Sequence, residues 1–295
     1  MAVPAYNHAR YIGACLDSVR NQTYPELELV VVDDGSSDGT GEIVQRFIQE
    51  HGSRFRRVEL IRQDNRGVSA ASNRAIGACR GEWVHLLGSD DRLYPHKIEA
   101  QWRAIQHWGD ERLALVYADA DLIDKDGTVV PKNTGERPRP GPDPHAYRSL
   151  ILGNPIPNPT VALHRERFAS MGGFDESLRL EDWDCWLRLA TRYALARVPE
   201  RLVAYRRHDA NASLRQRMML QDSWITLGRF FEHHGELIPP ALARTSFRHR
   251  MRSFRRWARN NAPALLPGIV RDTLRAYMRT PEPALFYYYA RLCDG

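Results

Sequence analysis

The sequence predicts an α/β protein with a mostly parallel, doubly wound sheet and a helical C-terminal extension. Three observations carry this. Leu29–Val32 is a short, β-branched apolar run, as suits a strand buried on both faces. Strand-like runs then alternate with helical periodicity through the first hundred residues, which is the βαβ pattern of a parallel sheet. Finally, the predicted strands end in polar, acid-bearing turns: Asp33-Asp34-Gly35 after the first run and Ser89-Asp90-Asp91 after VHLLG. Ligands of open α/β sheets bind just past such strand ends.

The elements follow in order. Ala2 and Val3 precede Pro4, so either the first strand is very short or the natural start lies upstream of Met1. Ile12, Leu16 and Val19 have helical spacing. The run Leu29–Val32 and the acids after it lead into GSSDGT, a dense turn signal that can also cap the helix predicted over 41–51. VELIR (58–62) is a further strand. A loop and a small-residue helix follow it, and then the buried strand within 82–95. A helix spans 96–108 with Trp102, Ile105 and Trp108 on its apolar face, and LALVYADADLID (113–124) is a strand. The stretch 131–145 carries five prolines and reads as a loop or flap that holds no regular element. Thr160–His164 is a strand, the helix beginning at Glu181 keeps its apolar face through Ala190, and LVAYR (202–206) is the last strand.

Composition narrows the function classes. The chain has 295 residues, 43% hydrophobic and 26% charged, enough for one large or two small domains with a sizeable core. No apolar run reaches the roughly 18–20 residues needed to span a bilayer, and no secretory leader is visible at the start. Cys15, Cys79, Cys185 and Cys293 lack metal-type spacing and read as reduced thiols of a cytoplasmic protein. Only three of 42 basic residues are lysine, an arginine bias that says little about function. The net charge of +6 permits nucleic acid, but the basic residues are not set in a recognisable nucleic-acid fold.

Each candidate site has two readings at this stage. Asp33 and Asp34 can accept bonds from a base N–H or a ribose hydroxyl, or simply hold a turn. Asp90 and Asp91 suit a hard divalent cation that also takes phosphate oxygens, or a solvated turn. Two acid-ended strands in one half of the chain favour a nucleotide–metal site. Glu181 and Asp182 fall in the first turn of a helix, where the dipole alone favours carboxylates. They could equally present a general base. His208 is a structural imidazole or a metal ligand.

The chain resembles the family 2 glycosyltransferases, the inverting group with the GT-A fold. The resemblance rests on VPAYN (3–7), VDDGSSDGT (32–40), the N-x-G-x-x-x-A-x-N-like run Asn65–Asn73, SDD (89–91), GGFDE (172–176), EDWDCWLRL (181–189) and YRRHDANAS (205–213). Each is weak alone, but seven in the family's order make chance an unlikely source. The resemblance implies a Rossmann-like sheet flanked by helices. Residues 1–110 would be the nucleotide-sugar half, 111–215 the acceptor half and 216–295 a helical, Arg-rich extension. It implies a nucleotide-sugar donor, most commonly a uridine one, and a saccharide or lipid-linked acceptor, with a role in cell-surface polysaccharide or glycolipid synthesis. Pro4, Ala5, Tyr6 and Asn7 would line the base pocket, and Asp34 would bond the base while Asp33 supports the turn. Gln63, Asn65 and Gly67 would approach base and ribose, with Asn73 in the same run. Ser89 and Asp90 would stand on the ribose side, while Asp91, with Asp90 and His208, would hold Mn²⁺ or Mg²⁺. Asp182 would be the catalytic base and Glu181 its neighbour.

One departure concerns the metal: the family often has an acid two residues before the last Asp pair of this motif, where this chain has Gly88. A degenerate, non-catalytic nucleotide-sugar-binding protein is therefore the rival reading. A nucleotidylyltransferase would want a glycine- and lysine-rich phosphate loop, and VPAYNHAR is not one. In the extension, Phe247, Met251, Phe254 and Ala258 form one helical stripe among arginines 244, 248, 250, 252, 255, 256 and 259. Such a basic amphipathic helix could make peripheral contact with the inner face of a membrane. Packing of the stripe on the protein, with the arginines in water, is the favoured alternative.

Overall fold

A computed structural model describes residues 1–131, 138–178, 181–208 and 216–293. The chain divides into two compact units. The first comprises Met1–Pro144, Pro155–Glu176 and Arg192–Asp209, and the second His145–Asn154, Ser177–Thr191 and Ala210–Gly295.

In the first unit, β1 (Ala2–Ala5), β2 (Glu28–Asp33) and β3 (Arg57–Arg62) form a parallel three-stranded sheet in the order β1-β2-β3. Short as it is, β1 pairs over its whole length, from Ala2 on Val30 to Ala5 on Asp33. Helices α1 (Ile12–Arg20) and α2 (Thr40–His51) are its two crossovers, and α3 (Val68–Ala78) follows β3. The apolar spacing of α1 has a direct result: Ile12, Leu16 and Val19 are fully enclosed with Val3, Leu29, Val31, Val44 and Phe47. Each such aliphatic side chain stabilises the fold by about 1.5–3 kcal/mol.

The same unit holds a seven-stranded mixed sheet of β4 (Trp83–His85), β5 (Arg92–Leu93), β6 (Leu113–Ile123), β7 (Val129–Val130), β8 (Gly141–Asp143), β9 (Ala162–His164) and β10 (Ala194–Arg206). Its long pair, β6 with β10, is parallel, and the short pairings around it are antiparallel. Helix α4 (Lys97–Trp108) and the short α6 (Arg165–Ser170) complete the unit.

Two expectations need correction here. Gly141–Asp143, inside the proline-rich stretch, is a strand paired with Leu195–Arg197, and β7–β6 pairing ends just before that stretch. A short edge pairing of this kind tolerates Pro142. Strand β10 also begins at Ala194, well before the predicted 202, because β6 offers a parallel partner along its whole length. Residues 132–137 of the proposed flap and 209–213 of the last motif lie outside the described residues.

The second unit is helical: α5 (Tyr147–Leu150), α7 (Glu181–Leu189), α8 (Gln216–His234), α9 (Pro240–Asn261), α10 (Leu266–Met278) and α11 (Pro283–Arg291). Its core is aromatic. Trp224 of α8 packs against Phe247 of α9 at 5.6 Å and against Phe286 and Tyr289 of α11 at 5.7 and 5.2 Å. The α9 stripe Phe247, Met251, Phe254 and Ala258 is buried. Among the described residues, no helix is long and apolar enough to cross a membrane.

Candidate functional site

In the first unit, the ends of β1 and β2 are laced together. Asn7 adopts a left-handed conformation (φ 51°), and its Oδ1 accepts the Ser37 N–H at 2.9 Å. The Asn7 N–H is bonded to Ser36 Oγ and the His8 N–H to Thr40 Oγ1, both at 2.9 Å. This holds Tyr6 out, 48% exposed, where an aromatic face is open to a planar base. Asp33 Oδ1 accepts the Ser36 N–H, a turn role.

Asp34 is buried and organises the next loop: Oδ1 accepts from Gln63 Nε2 (2.7 Å) and the Arg66 N–H (2.9 Å), Oδ2 from the Gly67 N–H (2.8 Å). Two carboxylate oxygens offer about four acceptor positions, so one further donor can still be met. Gly35 permits this closeness: its φ is +76°, and a Cβ there would lie 3.0 Å from the Asn65 nitrogen. Asn65 is exposed at the loop surface. Asn73 does something else. Its Oδ1 accepts the Phe174 N–H and its Nδ2 donates to the Phe174 oxygen, both at 2.9 Å, so its amide clamps the GGFDE turn.

Acids 90 and 91 diverge. Asp91 Oδ1 accepts the Arg206 N–H of β10 at 2.7 Å, and burial, then the charge of Asp90, raises its carboxyl well above the usual range. Asp90 instead approaches His208, whose Nε2 is 3.0 Å from Asp90 Oδ2. His8, Asp90 and His208 each offer a ligand atom, all within 4.8 Å of one another. Ser89 Oγ lies 2.7 Å from His8 Nδ1 and orients that ring. Burial lowers the His8 pKa, keeping the imidazole neutral and able to ligate. The donor set therefore fits a divalent metal. A Cβ at Gly88 would come 2.8 Å from Asp91 Oδ2 and 3.0 Å from Asp90 Oδ1, so the two carboxylates already occupy the space next to this position.

The second unit carries the other acid pair. Glu181 and Asp182 open α7, where Asp182 Oδ1 accepts the Trp183 N–H at 2.6 Å and Oδ2 accepts from Asn154 Nδ2 at 3.1 Å. Asp182 keeps part of its surface exposed while Glu181 is buried. Burial pushes Asp182 up to about 6, and burial with the charges of Asp182 and Asp222 pushes Glu181 up to about 8. Near neutral pH this is one ionised carboxylate beside one protonated neighbour, the pattern that separates acid from base roles.

Sequence reasoning missed His8, Asn154 and Asp222. No local spacing links 8, 90 and 208, and the one signal available was a histidine directly after VPAYN. Asn154 stands beside the first proline of GNPIPNP, where a polar side chain in a rigid loop deserved weight.

The first unit thus carries an acid-bearing sheet edge with a His/Asp/His cluster, and the second carries a buried acid pair at a helix start. The profile of glycosyl transferase family 2 matches residues 1–168, more than half of the chain, and the chain belongs to that family. An uncharacterised glycosyltransferase of Rickettsia typhi is 30% identical over 231 residues, 75% of this chain and 69% of that protein. Chondroitin synthase of Escherichia coli is 40% identical over 128 residues, 43% of this chain and 18% of that protein. The chain thus spans less than half the length of several curated relatives, including the Pasteurella multocida hyaluronan synthase at 13%. Among solved structures, S. aureus TarS 1-349 in complex with UDP-GlcNAc aligns with a TM-score of 0.60 at 18% identity, over 99% of this chain and 86% of that one. A Pyrobaculum calidifontis mannosyltransferase in complex with GDP-Man and Mn²⁺ aligns with a TM-score of 0.61 at 20% identity, over 98% and 84%. These likenesses show the fold: GT-A-like, a mixed sheet flanked by helices with a helical C-terminal region.

Proposed function

We propose that the chain transfers a sugar, with inversion, from a nucleoside diphosphate sugar to a saccharide or lipid-linked saccharide acceptor. The convergence of His8, Asp90 and His208, with the Asp34-anchored loop in the same unit, supports this reading, because metal-type ligands together with a strand edge that bonds a loop through a carboxylate suit a nucleoside diphosphate donor. UDP-GlcNAc and GDP-Man, carried by the two structural neighbours, support the donor class. A uridine donor is the form tested first. Tyr6 would stack on the base, Pro4 and Ala5 would shape its pocket, and Gln63, Asn65 and Gly67 would border the ribose. Asn73 would act indirectly, by holding the Phe174 turn.

His8, Asp90 and His208 would hold the cation, with Asp91 beside Asp90 and anchored to the Arg206 N–H of β10. Two imidazoles and one carboxylate are softer than Mg²⁺ selects, which favours Mn²⁺. The ion would neutralise charge developing on the leaving diphosphate. Asp182, ionised above about pH 6, would take the proton of the acceptor hydroxyl as that oxygen attacks the anomeric carbon. Asn154 keeps this carboxylate oriented. One in-line displacement inverts the anomeric configuration. The tight packing at Gly88 argues against the degenerate reading, since His8, Asp90 and His208 offer three ligand atoms without an acid there.

The four cysteines are free and buried, which suits action in a reducing, cytoplasmic compartment. Peripheral membrane contact through 244–259 would be electrostatic, because its apolar stripe is already used in packing.

The test is a thermal-shift series of UDP, GDP, dTDP and CDP, each with Mn²⁺, Mg²⁺ or EDTA. A ligand that binds only the folded state raises the melting temperature. One diphosphate should stabilise the protein in Mn²⁺, less in Mg²⁺ and least in EDTA. No shift with any diphosphate would overturn the donor reading.

A further inference from the structure

The buried face of α9 carries one residue that does not belong in a core. Arg250 follows Ser246 and Phe247 at helical spacing and precedes Phe254, so it lies on the inward side with them. Its Nε is enclosed and has no hydrogen-bond partner. Among the described residues, no carboxylate pairs with it; its guanidinium stacks 4.9 Å from the Trp183 ring centroid. That ring is itself fixed, since Trp183 Nε1 donates to the Leu150 oxygen at 2.8 Å. Burial lowers the Arg250 pKa to about 10, which leaves it charged at neutral pH. One cation–π contact returns only a fraction of the solvation an arginine loses on burial. A snorkelling arginine would keep its whole head in water. This one does not, although the residue retains some exposed surface through which a ligand can reach it. The packing thus holds a preoriented cation whose Nε is enclosed and which meets no carboxylate among the described residues.

Arg250 also stacks on the residue that follows Asp182 in α7. We propose that Arg250, on its Trp183 platform, binds an oxyanion carried by the acceptor, a sugar carboxylate or a phosphate, so that the acceptor is an anionic saccharide or lipid-linked saccharide. This inference rests on the transferase reading for the word acceptor. The anion site itself stands or falls separately. Arginine suits either oxyanion because its planar fork matches two oxygens at once.

The test compares the full-length wild type with R250M and R250K by thermal shift in metal-free buffer at constant ionic strength. Sodium glucuronate and inorganic phosphate are the probes, glucose is the neutral control, and UDP with Mn²⁺ is read in parallel. One oxyanion should raise the wild-type melting temperature by about 2–4 °C near saturation, and glucose should not. R250M should melt no lower than the wild type without anion, because a lone buried charge has been removed, and should lose the oxyanion response. R250K should keep part of it. Response to glucuronate alone assigns a uronate-type acceptor, and response to phosphate alone a phosphorylated one. The proposal is overturned if neither probe shifts the wild type. It is also overturned if the shift survives in R250M, placing the anion elsewhere, or if R250M melts several degrees lower, making Arg250 a structural residue. The UDP–Mn²⁺ shift reports on the donor reading alone, so the two failures are distinguishable.

Discussion

Glu181 and Asp182 share one helix turn yet differ in burial, and that difference sets what each can do. A general base must be ionised and reachable. Asp182 meets both conditions above about pH 6, whereas Glu181, buried beside the charges of Asp182 and Asp222, stays protonated to about 8. Asp182→Asn keeps the shape and removes the base, so turnover should fall by about 10²–10⁴-fold while the UDP-induced thermal shift persists. Undiminished turnover would take Asp182 out of the base role. The pH dependence has a definite sign: wild-type transfer rises as pH climbs through about 6 and is lost below it. Glu181 makes a different prediction. Its carboxyl is raised in the fold, so folding favours its neutral form. Its penalty is absent below the unfolded carboxyl value of 4.5 and fully present above about 8. Glu181→Gln should therefore be more stable than the wild type at pH 8–9, by an amount reaching the order of 5 kcal/mol, with the advantage fading towards pH 4. A constant difference across that range would show that Glu181 does not titrate as described.

At the scale of elements, strand ends do most of the positioning, and α3 shows how a helix serves a loop. Asn73 bonds both the N–H and the C=O of Phe174, as a neighbouring strand would. Asn73→Ala leaves both backbone groups short of a partner and should destabilise the protein by about 1–3 kcal/mol, read in chemical denaturation. Asn73→Asp restores the acceptor but loses the donor and faces the Glu176 carboxylate, 3.3 Å from Asn73 Nδ2, so it should not regain the wild-type stability. The pattern of elements also explains what could be read in advance. The run Leu29–Val32 and the stripe Ile12, Leu16, Val19 announced their partners because each obeys one period over its whole length. Ala194–Val198 did not: ALARV shows no clear period of its own, and its pairing with β6 makes it a strand. Gly141–Asp143 is a strand only because Leu195–Arg197 lies beside it. The same holds for the site. Asp34, Asp90 and Asp182 sit at ends of elements, where sequence position hints at chemistry. The partnership of residues 8, 90 and 208 exists only in the folded chain. Arg250 looked like one of seven exposed arginines until packing put it on the inward face.

For the whole molecule, the question is what the positive charge does. The chain carries +6, and α9 presents Arg252, Arg255, Arg256 and Arg259 to solvent. The apolar stripe that would insert into a bilayer is instead enclosed, with Phe254 against Trp224 and Tyr289 at 6.2 and 5.1 Å. Insertion would require that core to open, and burial of such aromatic side chains is worth about 3–5 kcal/mol each by truncation. Coulomb attraction needs no such change, because exposed arginines near an anionic leaflet contribute about 1 kcal/mol each. Membrane contact should therefore be purely electrostatic. In flotation assays, phosphatidylserine-rich vesicles should carry the full chain at about 50 mM salt and release it near 0.5 M, where screening shrinks the reach of a charge to a few ångströms. Phosphatidylcholine vesicles should carry none at either salt. R255E/R256E should lose flotation while keeping the wild-type melting temperature, since both side chains are exposed. Flotation that survives high salt would mean the stripe leaves its packing to enter lipid. No flotation at low salt would mean that the basic face of α9 serves solubility alone.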